Sequence, residues 1–336
     1  MKSVVIEQPG ELVLAERPLP TPAAGEVRVK VKYASICGSD VHIWHGHNPF
    51  AKYPRVIGHE FFGVIDAVGD EVDASRIGER VAVDPVVSCG SCYPCSVGRP
   101  NVCTTLSVIG VHRDGGFSEY AVAPASNAYR LPAAIPDKLA SMVEPFTIAA
   151  NITAFLKPQP QDVALIYGAG PMGLTAIQVL KGVYGVRQVL VVDRLPERLA
   201  LAQQSGADAV FNNSEVPLAA QLEGVQPTLI IDAACHPAIL AEAAALASPA
   251  ARIGLLGFSA EPCTVTQQSL TSKELSLFTS RLNSHRFSQV IDWIERGAIQ
   301  PEKLVTHYFP LAQVEQAMTL FEKDPRTCCK VILSIE

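Results

Sequence analysis

The sequence has no surplus of cationic side chains. Its 336 residues carry 27 Lys and Arg against 33 Asp and Glu, a formal net charge of −6. Without a basic patch to meet phosphates, neither nucleic acid nor an anionic membrane surface is expected as a partner. Charge of either sign is scarce at 18%, while hydrophobic residues reach 48%. A disordered chain needs the reverse balance, so a folded protein is expected. Long apolar runs are missing too. The longest uncharged stretch covers 163–180, and Gly168, Gly170, Pro171 and Gly173 break its middle. A strand, a turn and a helix fit it better than a membrane span. Met1-Lys2-Ser3-Val4-Val5-Ile6-Glu7 meets a charge before any long apolar core, so no secretory signal and a cytoplasmic location are expected.

Cysteine, by contrast, is present nine times, at positions 37, 89, 92, 95, 103, 235, 263, 328 and 329. In a reducing compartment disulfides are not expected, and the close spacing of four of these points to metal.

The chain reads as two domains, in keeping with its length. Residues 1–145 read as an all-β region. Val27-Arg28-Val29-Lys30-Val31-Lys32 alternates apolar and charged residues, the period of a half-buried strand, and Gly and Pro recur between such segments. From 146 to 284 buried strands such as Val163-Ala164-Leu165-Ile166-Tyr167 and Val189-Leu190-Val191-Val192 alternate with helical stretches near 197–205 and 239–247. That pattern predicts a doubly wound α/β sheet. Residues 285–336 read as two helices, 287–296 and 311–323, and a final strand near 329–333, a segment expected to return to the first domain.

Gly168-Ala169-Gly170-Pro171-Met172-Gly173 is a G-x-G-x-x-G string. It follows a buried strand and opens a helix, and Asp193 lies 20 residues beyond Gly173 at the end of the next strand. In that context the string predicts dinucleotide binding, with phosphate on the helix N-terminus and ribose on Asp193. The carboxylate favours NAD over NADP, although Arg194 beside it pulls the other way.

Cys89-x2-Cys92-x2-Cys95-x7-Cys103 sets four thiolates within a loop of Gly and Pro at 85–105, the spacing of a closed, structural zinc. Cys37 and His59, together with a carboxylate, provide three ligands and an open fourth position, which marks a catalytic metal.

With these motifs assembled, the chain resembles the zinc-dependent medium-chain alcohol and polyol dehydrogenases along essentially its whole length. Gly58-His59-Glu60-x2-Gly63-x5-Gly69-x2-Val72 matches that family's zinc signature. The four-cysteine loop, Gly115-Gly116-Phe117-Ser118-Glu119-Tyr120 and the glycine string follow in the family's order. Val111-His112-x-Asp114-Gly115-Gly116-Phe117, Glu144-Pro145-Phe146 and Ser280-Arg281 look most like bacterial starvation-sensing zinc dehydrogenases and L-galactonate and L-gulonate 5-dehydrogenases.

The resemblance implies a GroES-like β-barrel catalytic domain plus a Rossmann doubly wound parallel sheet, an α/β protein with one catalytic and one structural zinc per chain. It implies Cys37 and His59 as catalytic ligands, with Glu144 or Glu60 as the third, and Ser39 and His42 as a proton relay. Asp40 is expected to orient a ligand. Gly168, Gly170, Pro171, Met172, Gly173, Asp193, Arg194, Arg198, Gly257 and Phe278 are the implied cofactor contacts. Substrate contacts are sought among His47, Phe50, Arg281 and Asn283, because arginine matches a sugar-acid carboxylate with two parallel bonds.

The implied reaction moves hydride from a secondary alcohol of a hexonate to NAD. A neutral polyol such as sorbitol, or an L-threonine-type substrate, is the alternative. A protein that senses NAD or zinc without turnover has no need of an open metal position and a proton path. Such dehydrogenases are usually homodimers or homotetramers, so a closed homo-oligomer is expected.

Overall fold

The computed structural model describes residues 1–335. The chain forms two compact units. One holds Met1–Glu144, Phe287–Glu295 and the chain from Val305 onward; the other holds Pro145–Arg286 and Arg296–Leu304.

The first unit is built on a seven-stranded sheet in the spatial order Ala128–Arg130, Arg80–Val83, Glu60–Val68, Glu26–Ser35, Lys330–Ser334, Val305–Pro310, with Tyr120–Pro124 also pairing with Glu26–Ser35. Val27, Val29 and Val31 are at most 1% exposed while Lys30 faces water, as the alternating sequence requires. Phe61, Phe62, Ile65, Val81 and Leu333 complete this core, each contributing about 1.5–3 kcal/mol by burial. The last strand pairs antiparallel with Glu26–Ser35, Ile332 opposite Ser35, so the chain end lies beside the strand that leads to Cys37.

The all-β expectation for 1–145 needs correction at the helix Gly38–Trp44, at the single turn Tyr93–Ser96 and at its end, where the helix Val143–Leu156 begins. Asp40 in the first turn of Gly38–Trp44 accepts the backbone N–H of Cys37 (2.9 Å), while Val41, Ile43 and Trp44 bury that helix's inner face. An acid at that position suits the positive end of a helix.

The second unit holds a six-stranded parallel sheet in the order Ala209–Asn212, Gln188–Asp193, Val163–Tyr167, Leu229–Asp232, Arg252–Leu255, Ser276–Thr279. In chain order this is 3-2-1-4-5-6, a doubly wound sheet, and it reverses direction beside Val163–Tyr167, where such sheets bind ligands.

The segment 285–336 does not return as one piece. Arg296–Leu304 belongs to the second unit. There the backbone of Gln300 both donates to and accepts from the Gln178 side chain (2.7 and 3.0 Å), and Ala298 packs so tightly on Gly182 that a Cβ there would meet its carbonyl at 1.8 Å. Among the described residues one stretch, Asp137–Leu156, is long and apolar enough to cross a membrane, but most of it is buried inside the protein.

Candidate active site

The ligand atoms of Cys37, His59 and Glu60 lie within 4.8 Å of one another. Cys37 precedes the helix Gly38–Trp44, and Glu60 opens the strand Glu60–Val68. His59 sits on a loop that only a glycine before it permits. Gly58 has φ +92°, and a Cβ there would lie 2.1 Å from the Phe117 ring. Gly115, Gly116 and Phe117 bond to the carbonyls of Val56, Gly58 and Ile57, each at 2.8 to 3.0 Å, so the second glycine pair clamps the ligand loop from behind.

Asp40 joins these pieces. It is fully buried; its Oδ2 accepts from Cys37 N, and its Oδ1 accepts from Gly58 N (3.2 Å) and lies 3.5 Å from His59 Nδ1. Burial, the largest single influence, would lower the His59 pKa, yet the charges and hydrogen-bonding of Asp40 and Cys37 together outweigh it and hold the ring well above its usual value. A carboxylate behind an imidazole fixes the ring's orientation and its basicity toward a metal.

Glu60 has two partners that sequence reading missed. Lys330 Nζ, 1% exposed, reaches both carboxylate oxygens (2.6 and 2.5 Å) and the Ile36 carbonyl (3.0 Å), and the buried Ser35 hydroxyl donates to Glu60 Oε2. The available signal was a lone lysine inside the apolar run Cys329–Leu333. Glu144 stands in the first turn of the helix Val143–Leu156, 4% exposed. Burial pushes its carboxyl up to about 8; the His59 charge opposes the rise and the Glu60 charge adds to it.

A half-buried thiol, an imidazole and two neighbouring carboxylates, which repel each other when both are ionised, suit a divalent cation. The donor set, N, S and O, is one that zinc takes. Ser39 and His42 lie three apart on the helix Gly38–Trp44 and so share a face, with His42 exposed. His47 lies 6.3 Å from His42, ring to ring, and Phe50 is 6.1 Å from His112.

The four cysteines of the lobe also converge. Cys92 lies 3.4 Å from Cys95 and 3.6 Å from Cys103, and Cys103 lies 3.5 Å from Cys89, sulfur to sulfur. A tetrahedron with Zn–S bonds of 2.3 Å has edges of about 3.8 Å, close to this spacing. Backbone N–H groups lower the Cys89 thiol to about 5 and the Cys92 thiol to about 7, favouring the thiolates a metal binds, while burial raises Cys95 to about 11.

In the second unit, Gly168 (φ +91°) turns the chain after its strand, and Gly170 caps the helix Pro171–Gly182, with Pro171 and Met172 in the first turn. A Cβ on Gly173 would lie 1.9 Å from the Gly168 carbonyl, so helix and turn pack as closely as the motif requires. Asp193 Oδ2 accepts from Ala169 N (2.8 Å) and Oδ1 from Leu195 N (2.9 Å). The Arg198 guanidinium lies 2.9 Å from where a Gly170 Cβ would stand, bringing positive charge to the phosphate cradle. Beside the turn is a cavity of about 430 Å³ lined in part by Asp193, the exposed Arg194 and His236. Gly257 is exposed and abuts Cys235, and Phe278 is half-buried on the edge strand Ser276–Thr279.

One substrate candidate is withdrawn. Asn283 is completely buried, and its Oδ1 accepts the Arg286 N–H (3.2 Å), so it braces its own loop. Arg281 instead lies over the exposed Phe258 ring, 5.6 Å from its centroid.

Residues 23–133 match the alcohol dehydrogenase GroES-like domain family and residues 171–296 the zinc-binding dehydrogenase family. The chain belongs to the zinc-type medium-chain alcohol dehydrogenases, a family of oxidoreductases. It is 64% identical over 336 residues to the starvation-sensing protein RspB of Escherichia coli K12, covering 99% of each chain. It is 33% identical over 335 residues to the L-galactonate-5-dehydrogenase of the same organism, covering 96% of this chain and 95% of that one. A crystal structure of an alcohol dehydrogenase (rspB) from E. coli CFT073, complexed with cofactor NADH, superposes with a TM-score of 0.98 at 63% identity, covering 99% of each chain.

Proposed function

We propose that this chain is an NAD-dependent dehydrogenase that oxidises a secondary hydroxyl of a hexonate, such as L-gulonate or L-galactonate, to a keto acid. The observation that carries the reading is the triangle of half-buried Cys37 with buried His59 and Glu60, within 4.8 Å and beside Glu144. Zinc held there by Cys37, His59 and one of the two glutamates would acidify a coordinated alcohol. A dinucleotide on the glycine turn would supply the hydride chemistry.

This chain's own residues do the rest. Asp40 keeps the His59 ring turned to its task. Lys330 and Ser35 hold Glu60 in place. Ser39 accepts the alcohol proton and passes it to His42, which is exposed and delivers it to water. Asp193, anchored through Ala169 and Leu195, accepts from the ribose hydroxyls and repels a 2′-phosphate. Arg281, resting on Phe258, is the side chain best suited to a sugar-acid carboxylate.

The relative called L-galactonate-5-dehydrogenase and the NADH-bound homologue support the substrate class and the cofactor. Initial rates on L-gulonate, L-galactonate, sorbitol and L-threonine, each with NAD and NADP, test it. Aldonates with NAD should be fastest, and Arg281→Ala should raise their KM. Preference for sorbitol, unchanged by Arg281→Ala, would overturn the sugar-acid assignment.

A further inference from the structure

The first unit has a cavity of about 300 Å³ that none of Cys37, His59, Glu60 and Glu144 lines. Its walls come from the segment 17–20, the loop at 113–115 and the strand Tyr120–Pro124. Arg28 fixes two of these walls. Its guanidinium donates to the Pro20 carbonyl (3.0 Å) and lies 5.6 Å from the centroid of the Tyr120 ring. Pro18, Leu19, Pro20 and Val122 make part of the lining apolar, and Leu19 is 48% exposed.

Arg17 and Arg113 are the cations of this lining. Arg17 Nη1 donates to Asp114 Oδ2 (2.9 Å), and Arg113 Nη2 donates to Glu26 Oε1 (2.6 Å). A guanidinium has five N–H donors. Among the described residues the other guanidinium nitrogens of both side chains make no hydrogen bond. Each ion pair therefore holds a planar fork by one corner and leaves the rest of it for an anion. Asp114 lines the cavity too, but its charge is already engaged, since Oδ1 also takes Arg55 Nη1 (2.9 Å) and Val56 N (3.2 Å). Arg17, Arg55 and Arg113 thus stand against Asp114 and Glu26, a local excess of positive charge in a chain whose net charge is −6.

Ligand cavities are mostly apolar, with a few placed polar groups, and span about 300–1,000 Å³. This one is at the small end, too small for a dinucleotide. Two forks beside an apolar wall match a carboxylate carried on an apolar body, whereas a bare inorganic anion would use only the forks. We propose that this cavity binds a small organic carboxylate, its charged end on Arg17 and Arg113 and its body against Leu19, the prolines and the Tyr120 ring. It is a binding site separate from the metal ligands and from the glycine turn.

The test is calorimetric titration of the zinc-loaded enzyme with benzoate, with benzamide, which keeps the shape and loses the charge, and with inorganic phosphate, which keeps charge and loses the body. Benzoate should bind with Kd below about 1 mM, and benzamide and phosphate each at least about tenfold more weakly. Arg17→Met and Arg113→Met should each weaken benzoate at least about tenfold. Both pairs are partly exposed, so the variants should still fold. Arg17→Lys, which keeps the charge and loses the fork, should fall between. Arg281→Ala should leave benzoate affinity unchanged.

Equal affinity for benzoate and benzamide would overturn the proposal, because no charge would be read. Equal affinity for benzoate and phosphate would overturn it as well, leaving the apolar wall without a part. Loss of benzoate binding in Arg281→Ala but not in Arg17→Met would place the ligand elsewhere and overturn it, as would the absence of saturable binding by the wild type.

Discussion

Lys330 holds both carboxylate oxygens of Glu60, at 2.6 and 2.5 Å, and each side chain is 1% exposed. The two residues stand 270 positions apart, so the pair ties the end of the chain to the metal site. Burial, the largest single influence, would discharge the lysine, but the charge and hydrogen bond of Glu60, with the charges of Cys37 and Glu144, together offset this and keep it an ammonium.

Lys330→Met removes one partner of that pair and leaves Glu60 buried and uncompensated. Such a loss costs about 3–5 kcal/mol. The metal-free variant should lose about that much stability against urea, and zinc should restore part of it by supplying positive charge to the same carboxylate. Equal urea midpoints for variant and wild type, with and without zinc, would show that the ion pair contributes nothing net.

Much of this arrangement could be read in advance, and the reason is locality. The glycine string, Asp193 and the four cysteines each lie within a few turns of chain, where spacing dictates geometry. The pattern Val27-Arg28-Val29-Lys30-Val31 reports its own strand in the same way. What escaped was long-range. Nothing near Glu60 announces Lys330, and nothing near Asn283 shows that its amide is spent on Arg286. The helix Gly38–Trp44 was hidden because its short apolar set, Val41, Ile43 and Trp44, sits in a Gly- and Pro-rich region that suggested strands and turns. The split of the C-terminal segment follows from Gln178 and Gly182, more than 100 residues upstream of Gln300 and Ala298.

The four-cysteine lobe should be separable from the catalytic metal. Cys103 is the most buried of the four thiols. Cys103→Ser should lower zinc content from about two per chain to about one and expose 88–104 to protease, because little besides the metal organises that loop. Elemental analysis and limited proteolysis measure both effects. A variant that keeps its full zinc complement and resists cleavage would show that the lobe is not a metal site.

Gly58 is the position where one methyl group should do most damage. Its φ is +92° and the added Cβ would lie 2.1 Å from the Phe117 ring. Overpacking of this kind costs about 1–3 kcal/mol, and the left-handed backbone adds about 1 kcal/mol. Gly58→Ala should therefore destabilise the protein by about 2–4 kcal/mol and weaken zinc binding at His59. The clash and the backbone strain separate in a double-mutant cycle. Added to Phe117→Ala, Gly58→Ala should cost only the smaller, backbone part. Full additivity would mean that the ring is not what excludes the methyl group.

Asp40 offers the sharpest test of how the metal site is assembled, because it touches all three parts of it without lying in the ligand triangle. Its oxygens take the N–H groups of Cys37 and Gly58 and face His59 Nδ1. Asp40→Asn keeps the shape but replaces one acceptor oxygen with a donor amide. Two donors would then confront each other, at Cys37 or at Gly58, and the imidazole would lose the charge behind it. Outer partners of this kind change metal affinity by about 10–100-fold. Zinc affinity, measured by competition with a chelator, should fall within that range. The urea midpoint of the zinc-loaded variant should fall with it, since the metal stabilises only the folded state to which it binds. Asp40→Ala should be worse, leaving two buried N–H groups without partners. If Asp40→Asn binds zinc as tightly as the wild type, the carboxylate serves only to shape the turn, and the orientation of His59 must come from the Gly58–Phe117 clamp.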